Sequence, residues 1–253
     1  MMKKYAVLSD IHGNIHALKA VIDSLSFDEL SGVIILGDII DYGMRSNEST
    51  KLLREWLLKK NSEMLNKDFV VCNIWGNHEK EILNGTFTGY SSKRGEECAK
   101  YTAKILNEET REYLRSELDE SGKSEFVLEA YKCIAIHGSL DDPYWKSVEP
   151  GDLKGDYSAY DIVFSGHSHK SHVFRHEYPS DDVNYRNKHT VLFINPGSVG
   201  QPRNHNPNAQ YAILDIDTMS VELRCIPYDV RGAMETYDGS VDDFYRERLE
   251  RGV

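Results

Sequence analysis

Apolar positions in the first third of the chain follow two alternating rhythms. Runs at 4–9, 33–36 and 69–74 are short, continuous and rich in Val and Ile, which predicts buried strands. Between the first two, Ile15, Leu18, Val21, Ile22 and Leu25 share one face at helical spacing. Leu52, Leu53, Trp56 and Leu57 do the same within 47–60. A βαβαβ order of this kind implies largely parallel strands covered by helices.

The rhythm breaks at Gly85, Gly89 and Gly95. Residues 96–107 and 108–118 then carry modest apolar stripes and broad polar faces, so a helical insertion or cap is expected at about 85–120. Its Tyr90 and Tyr101 either line a ligand cleft or pack the insertion. Strand-like runs dominate afterwards, at 125–130, 133–136, 162–164, 171–176, 190–194, 210–215 and 220–226. A tight turn is expected near 131–132, and the last two runs form a hairpin around Asp217. A helical end rich in Arg and Glu falls within 229–252. The chain shows no internal repeat and no low-complexity linker. The expectation is an α/β fold, one domain over 1–253, with two facing sheets.

Polar residues of one chemical kind stand where these runs end. Asp10 and His12 follow the first, Gly37-Asp38 the second, Gly76-Asn77-His78-Glu79 the third, His137-Gly138 the run at 133–136, and Gly166-His167-Ser168-His169 the run at 162–164. The C-terminal ends of strands are the natural place for a site in α/β folds. Asp10 and His12 are two apart, and in extended chain such residues point the same way. Asp38 has two oxygens and is the best candidate to bridge two ions. The Asn77 carbonyl is a hard-metal ligand that adds no charge. A lone Gly-Asp turn or strand-end His is commonplace, but a whole series in one context points to a two-metal centre. Carboxylate, amide oxygen and imidazole without Cys suit Mn or Fe first, with Zn, Co or Ni also compatible.

Composition narrows the function. The formal net charge of −11 repels a long phosphate backbone, so an extended nucleic-acid face is not expected. A small phosphorylated substrate fits, because bound cations reverse the local field. No apolar run approaches the roughly 20 residues needed to span a bilayer. The opening MMKKYAVLSD reads as the first strand rather than a leader, so no membrane association and a cytoplasmic location are expected. Cys72, Cys98, Cys133 and Cys225 are widely spaced, which favours free thiols over a disulfide framework. Protein partners and oligomeric state are not legible.

These motifs, in this order, resemble the calcineurin-like metallophosphoesterase family. The later run Asn195-Pro196-Gly197-Ser198-Val199-Gly200-Gln201-Pro202-Arg203 is similar to its small bacterial and archaeal phosphodiesterase branch. The resemblance implies two facing mixed β-sheets flanked by helices in four layers, with the metals at one edge. It implies that Asp10, His12 and His169 hold one ion, that Asn77, His137 and His167 hold the other, and that Asp38 bridges them. Residues 37–41 also resemble the protein serine/threonine phosphatases and the diadenosine tetraphosphatases. That likeness makes His78 a catalytic group beside the substrate oxygen, oriented by Asp41. In those phosphatases a phosphate-binding arginine follows the second aspartate, whereas this chain has Tyr42. The phosphate clamp must then come from elsewhere, with Arg45 and Arg203 as candidates.

The expected activity is phosphoester hydrolysis by a hydroxide shared between two ions about 3.5–4 Å apart. The substrate expected first is a nucleotide phosphoanhydride or phosphodiester such as a dinucleoside polyphosphate. A serine/threonine-type phosphoprotein phosphatase and a non-catalytic metal-dependent scaffold are the alternatives.

Overall fold

The computed structural model describes residues 3–64 and 68–253. Two mixed five-stranded sheets face each other. The first runs β10-β9-β1-β2-β3, where β1 is Lys4–Leu8, β2 Leu30–Ile35, β3 Val70–Asn73, β9 Ala209–Asp215 and β10 Ser220–Ile226. The second runs β4-β5-β6-β8-β7, from β4 Lys123–Leu128, β5 Tyr131–Ile136, β6 Ile162–Ser165, β7 His172–Pro179 and β8 Lys188–Asn195. Three neighbouring strands in each sheet are parallel, β1-β2-β3 and β5-β6-β8, and antiparallel strands close the edges.

Alternation along β1 explains the layering. Tyr5 and Val7 face the second sheet and meet Cys133, Ala135, Ile162 and Phe164. Ala6 and Leu8 point the other way, to the helices. Helix α1 (Ile15–Leu25) buries Leu18, Val21 and Leu25 there, and α2 (Ser46–Glu63) buries Leu53, Trp56 and Leu57. The outer face of the second sheet is covered by the chain between β5 and β6, through Val148 and Tyr157.

Two features differ from the sequence expectation. The residues after β3, expected only as a strand end, open a helix, α3 (Asn77–Asn84), whose short length hides its period. The β4–β5 turn lies at Glu129, with φ 56°, two residues before the position expected from the apolar runs. The segment around 85–120 is helical, as expected, and forms α4 (Lys93–Ile105) and α5 (Glu108–Ser116). Ala99, Tyr113 and Leu114 join the core beneath the first sheet. The tail carries two short helices, α6 (Val230–Glu235) and α7 (Phe244–Arg251).

Candidate metal centre

The C-terminal ends of the two parallel strand sets open at the same edge, and the loops leaving them converge. Asp10 and His12 leave β1, Asp38 leaves β2, Asn77 and His78 open α3 after β3, His137 leaves β5, and His167 and His169 leave β6. Asp10 and His12 do not align by extended geometry. Their φ values are 54° and 47°, and Asp38, His167 and His169 are also left-handed at 53°, 63° and 57°. Each such non-glycine residue costs roughly 1 kcal/mol or more, so the surrounding contacts must over-determine the conformation.

Those contacts are visible. Asp10 N–H donates to Gly37 O and His12 N–H to Asp38 O, which ties the first loop to the second. The 195–203 run braces the other side: Val199 and Gly200 donate to Ser9 O and Asp10 O, and Ser198 Oγ donates to Asp10 O at 2.7 Å. Gly37 has φ 85°, and a β-carbon there would lie 2.2 Å from Gly76 N. The second and third loops can touch only because these positions carry no side chain.

Two clusters result, Asp10–His12–Asp38–His169 and Asp38–His137–His167, with Asp38 common to both. The Asn77 Oδ1 lies 3.0 Å from both His137 Nε2 and His167 Nδ1, which places it in the second cluster. Asp38 does not present both oxygens. Oδ1 accepts the His78 backbone N–H at 2.9 Å, while Oδ2 has no hydrogen-bond partner. That single atom lies 3.7 Å from His12 Nε2 and 3.3 Å from His137 Nε2. Among the described residues, Asp10 Oδ1 is the other buried carboxylate oxygen without a hydrogen-bond partner.

The imidazoles are oriented to suit a cation. Nδ1 of His12, His137 and His169 each meets a backbone carbonyl, of Ile40, Leu36 and Gln201 respectively. A carbonyl only accepts, so each Nδ1 carries a proton and Nε2 is the nitrogen left facing the site. The Nε2 atoms of His12 and His169 then face each other at 3.1 Å, acceptor against acceptor. Two orphaned carboxylate oxygens and opposed imidazole lone pairs in a buried space fit positive ions. The residues present therefore match a pair of divalent metals.

Titration behaviour agrees. Burial, then the charge of His137, pushes His167 down to about 4. Burial, then Arg203, pushes His169 down to about 3. Both stay neutral and available as ligands. Burial opposes charge on His137 too, but Asp38 beside it wins and raises it to about 9. Burial would raise Asp10 and Asp38, yet the charge of His137 nearby helps to hold both carboxylates below their ordinary value.

His78 Nδ1 donates to Asp41 Oδ2 at 2.6 Å. Burial disfavours the imidazolium, but Asp38 and Asp41 outweigh it and raise its pKa. His78 Nε2 is 3.9 Å from Asp38 Oδ2, so it borders the metal clusters without belonging to either. It opens onto a cleft of about 360 Å³ lined by Tyr42, Tyr90, Trp145 and Arg203 among others. Arg203 has a buried Nε without a hydrogen-bond partner. Arg45 is not at this cleft. It precedes α2 and is exposed, and its guanidinium turns to Glu48 at 3.4 Å because the first helical turn places that carboxylate within reach.

Sequence reasoning missed three participants. Glu79, within the quoted motif but given no role, accepts four backbone N–H bonds, from Asp38, Ile39, Ile40 and Gly76. Tyr42 was legible only as a departure, yet its ring packs against His12 and His78, with centroids 4.6 and 4.4 Å away. Trp145 sits in irregular chain with no motif to flag it. Of the two tyrosines considered, Tyr90 lines the cleft and contacts His78, with its hydroxyl 3.4 Å from Nδ1, while Tyr101 is not part of the lining.

A two-sheet sandwich carrying a pair of clusters that share one carboxylate at the strand ends defines a metal-dependent phosphoesterase with a binuclear centre. Residues 2–219 match the calcineurin-like phosphoesterase superfamily domain, and the chain belongs to that superfamily. An uncharacterized protein of Methanocaldococcus jannaschii is 30% identical over 244 residues, which span 91% of this chain and 90% of that one. A metallophosphoesterase from Sphaerobacter thermophilus shares the fold at a TM-score of 0.72 and 23% identity, across 100% of both chains. A hypothetical protein from Pyrococcus horikoshii does so at 0.75 and 22%, across 100% of this chain and 99% of its own. Among the described residues no helix is long and apolar enough to cross a membrane.

Proposed function

We propose that the protein hydrolyses a small phosphoanhydride or phosphodiester, with a dinucleoside polyphosphate as the first candidate and Mn or Fe as the metals. The observation that carries this reading is the pair of partnerless carboxylate oxygens, Asp10 Oδ1 and Asp38 Oδ2, set among imidazole nitrogens beside the His78–Asp41 pair. Asp10, His12 and His169 would hold one ion and Asn77, His137 and His167 the other, with Asp38, common to both clusters, shared. Such ions supply an activated water at neutral pH and offset charge on the phosphoryl oxygens.

The chain's own groups do the rest. Arg203 brings a guanidinium to the cleft, suited to a phosphate oxygen. His78, charged and aligned by Asp41, delivers a proton from Nε2 to the leaving oxygen. The aromatic walls Tyr42, Tyr90 and Trp145 favour a flat organic group on the substrate, which supports a nucleotide. The cleft is sized for a small molecule rather than a polymer. Four free cysteines fit a reducing compartment, in line with the cytoplasm.

The test is turnover of a chromogenic phosphodiester by Mn-loaded protein, followed by a nucleotide panel that includes diadenosine tetraphosphate with product identification. Chelation should abolish turnover and Mn should restore it. Inactivity across the panel, in protein shown to hold two metals, would sink the reading and leave a scaffold role.

A further inference from the structure

Helix α4 reaches the catalytic pair from outside every metal-ligand motif. Thr102 Oγ1 donates to Asp41 Oδ1 at 2.6 Å across 61 positions of sequence, and Thr102 is only 2% exposed. The other Asp41 oxygen, Oδ2, takes the His78 Nδ1 bond, also at 2.6 Å. Asp41 is fully buried and itself left-handed at φ 74°. Each of its oxygens therefore needs a donor, and each donor fixes one rotation of the carboxylate. With Oδ1 unpaired, the carboxylate could turn or take up a proton, and the His78 ring would lose its guide. Cys98, one turn earlier on α4, is buried on the same inward face as Thr102.

We propose that Thr102 is a positioning residue for catalysis: the chain Thr102–Asp41–His78 sets the direction in which His78 Nε2 delivers its proton. This rests on the reading of His78 as the general acid. The proton leaves Nε2 as the bond from phosphorus to the leaving oxygen breaks and that oxygen keeps the electron pair. The same stretch of chain contributes Tyr90 and Ser92 to the cleft wall. The segment expected from sequence as a cap is thus joined to the chemistry as well as to the substrate space.

The experiment compares Thr102→Val, Thr102→Ser and His78→Asn in the metal-loaded full chain, on two phosphodiesters that differ only in leaving group. A p-nitrophenolate departs without a proton, whereas an alkoxide needs one. Thr102→Val should lower kcat on the alkyl ester about 10–100-fold and on the nitrophenyl ester less than about threefold, with KM and metal content retained. Thr102→Ser keeps the hydroxyl and should return the alkyl kcat to within about threefold of the parent. Equal losses on both esters, or Ser no better than Val, would overturn the role of Thr102. If His78→Asn also shows no leaving-group dependence, the acid assignment falls and the relay with it. If His78→Asn shows that dependence and Thr102→Val does not, only Thr102 is removed. Should the Val variant fold poorly, Thr102→Ala gives the same comparison.

Discussion

Glu79 holds the backbone of Asp38: its Oε2 accepts the Asp38 N–H at 2.8 Å, and the same oxygen takes the Gly76 N–H at 2.8 Å. One carboxylate thereby fixes the loop after β2 to the start of α3, the two places that supply Asp38, Asn77 and His78. In Glu79→Gln one acceptor becomes an amide donor facing N–H groups. The variant should lose about 1.5–3 kcal/mol of stability and bind metal more weakly. Urea denaturation and elemental analysis check this, and unchanged midpoints with two metals retained would deny the loop-fixing role.

Asp38 is the one residue shared by both clusters. Asp38→Asn should therefore lower total metal content in dialysed protein, whereas losing a ligand of one cluster, as in His167→Ala, should spare the other ion. Elemental analysis of the two variants side by side decides, and full occupancy in Asp38→Asn would contradict a bridging oxygen.

His78 borders the metals without joining them. His78→Ala should keep both ions and lose about 10²–10⁴-fold in kcat on an unactivated ester. Steady-state kinetics with metal analysis on the same sample provide the check. A kcat close to the parent's would remove His78 from the mechanism.

Arg203 lines the cleft and Arg45 does not. Arg203→Ala should raise KM about 10-fold or more, as expected for losing a charged hydrogen bond to phosphate. Arg45→Ala should leave KM within about twofold, since an exposed pair with Glu48 contributes little. Equal effects from the two substitutions would argue that Arg203 serves only the 195–203 loop.

The metal-free protein should be most stable near neutrality. His167 and His169, at about 4 and about 3, stay neutral in the fold, while unfolded histidines take a proton near pH 6.5. Below about pH 6.5 the unfolded state binds more protons, so stability falls as pH falls. Glu79, lifted to about 7 by burial and then by Asp38, offsets part of this. His137 acts in the other window. Raised to about 9, it contributes stability that is fully present below about pH 6.5 and is lost as pH climbs through about 9. Denaturant midpoints of chelated protein at about pH 5, 6.5 and 9 should trace a maximum at the middle value, and a flat profile would contradict these protonation states.

The sequence by itself determined the strand and helix order and the chemistry waiting at the strand ends. Short runs rich in β-branched Val and Ile and bounded by Gly favour buried strands, and a run of strand-end Asp and His residues has a local signature. Asp10, His12, Asp38, Asn77, His137, His167 and His169 were legible for that reason. The tertiary structure decided what depends on approach between distant loops. It chose which Asp38 oxygen is free, because the other is taken by an N–H on α3. It sent Arg45 outward to Glu48 and left Arg203 at the cleft. It gave Glu79 and Thr102 their partners, 41 and 61 positions away. No period or spacing encodes these contacts. Hydrogen bonds act over about 3 Å, and which groups come within that distance is fixed only when both sheets have closed on their shared core.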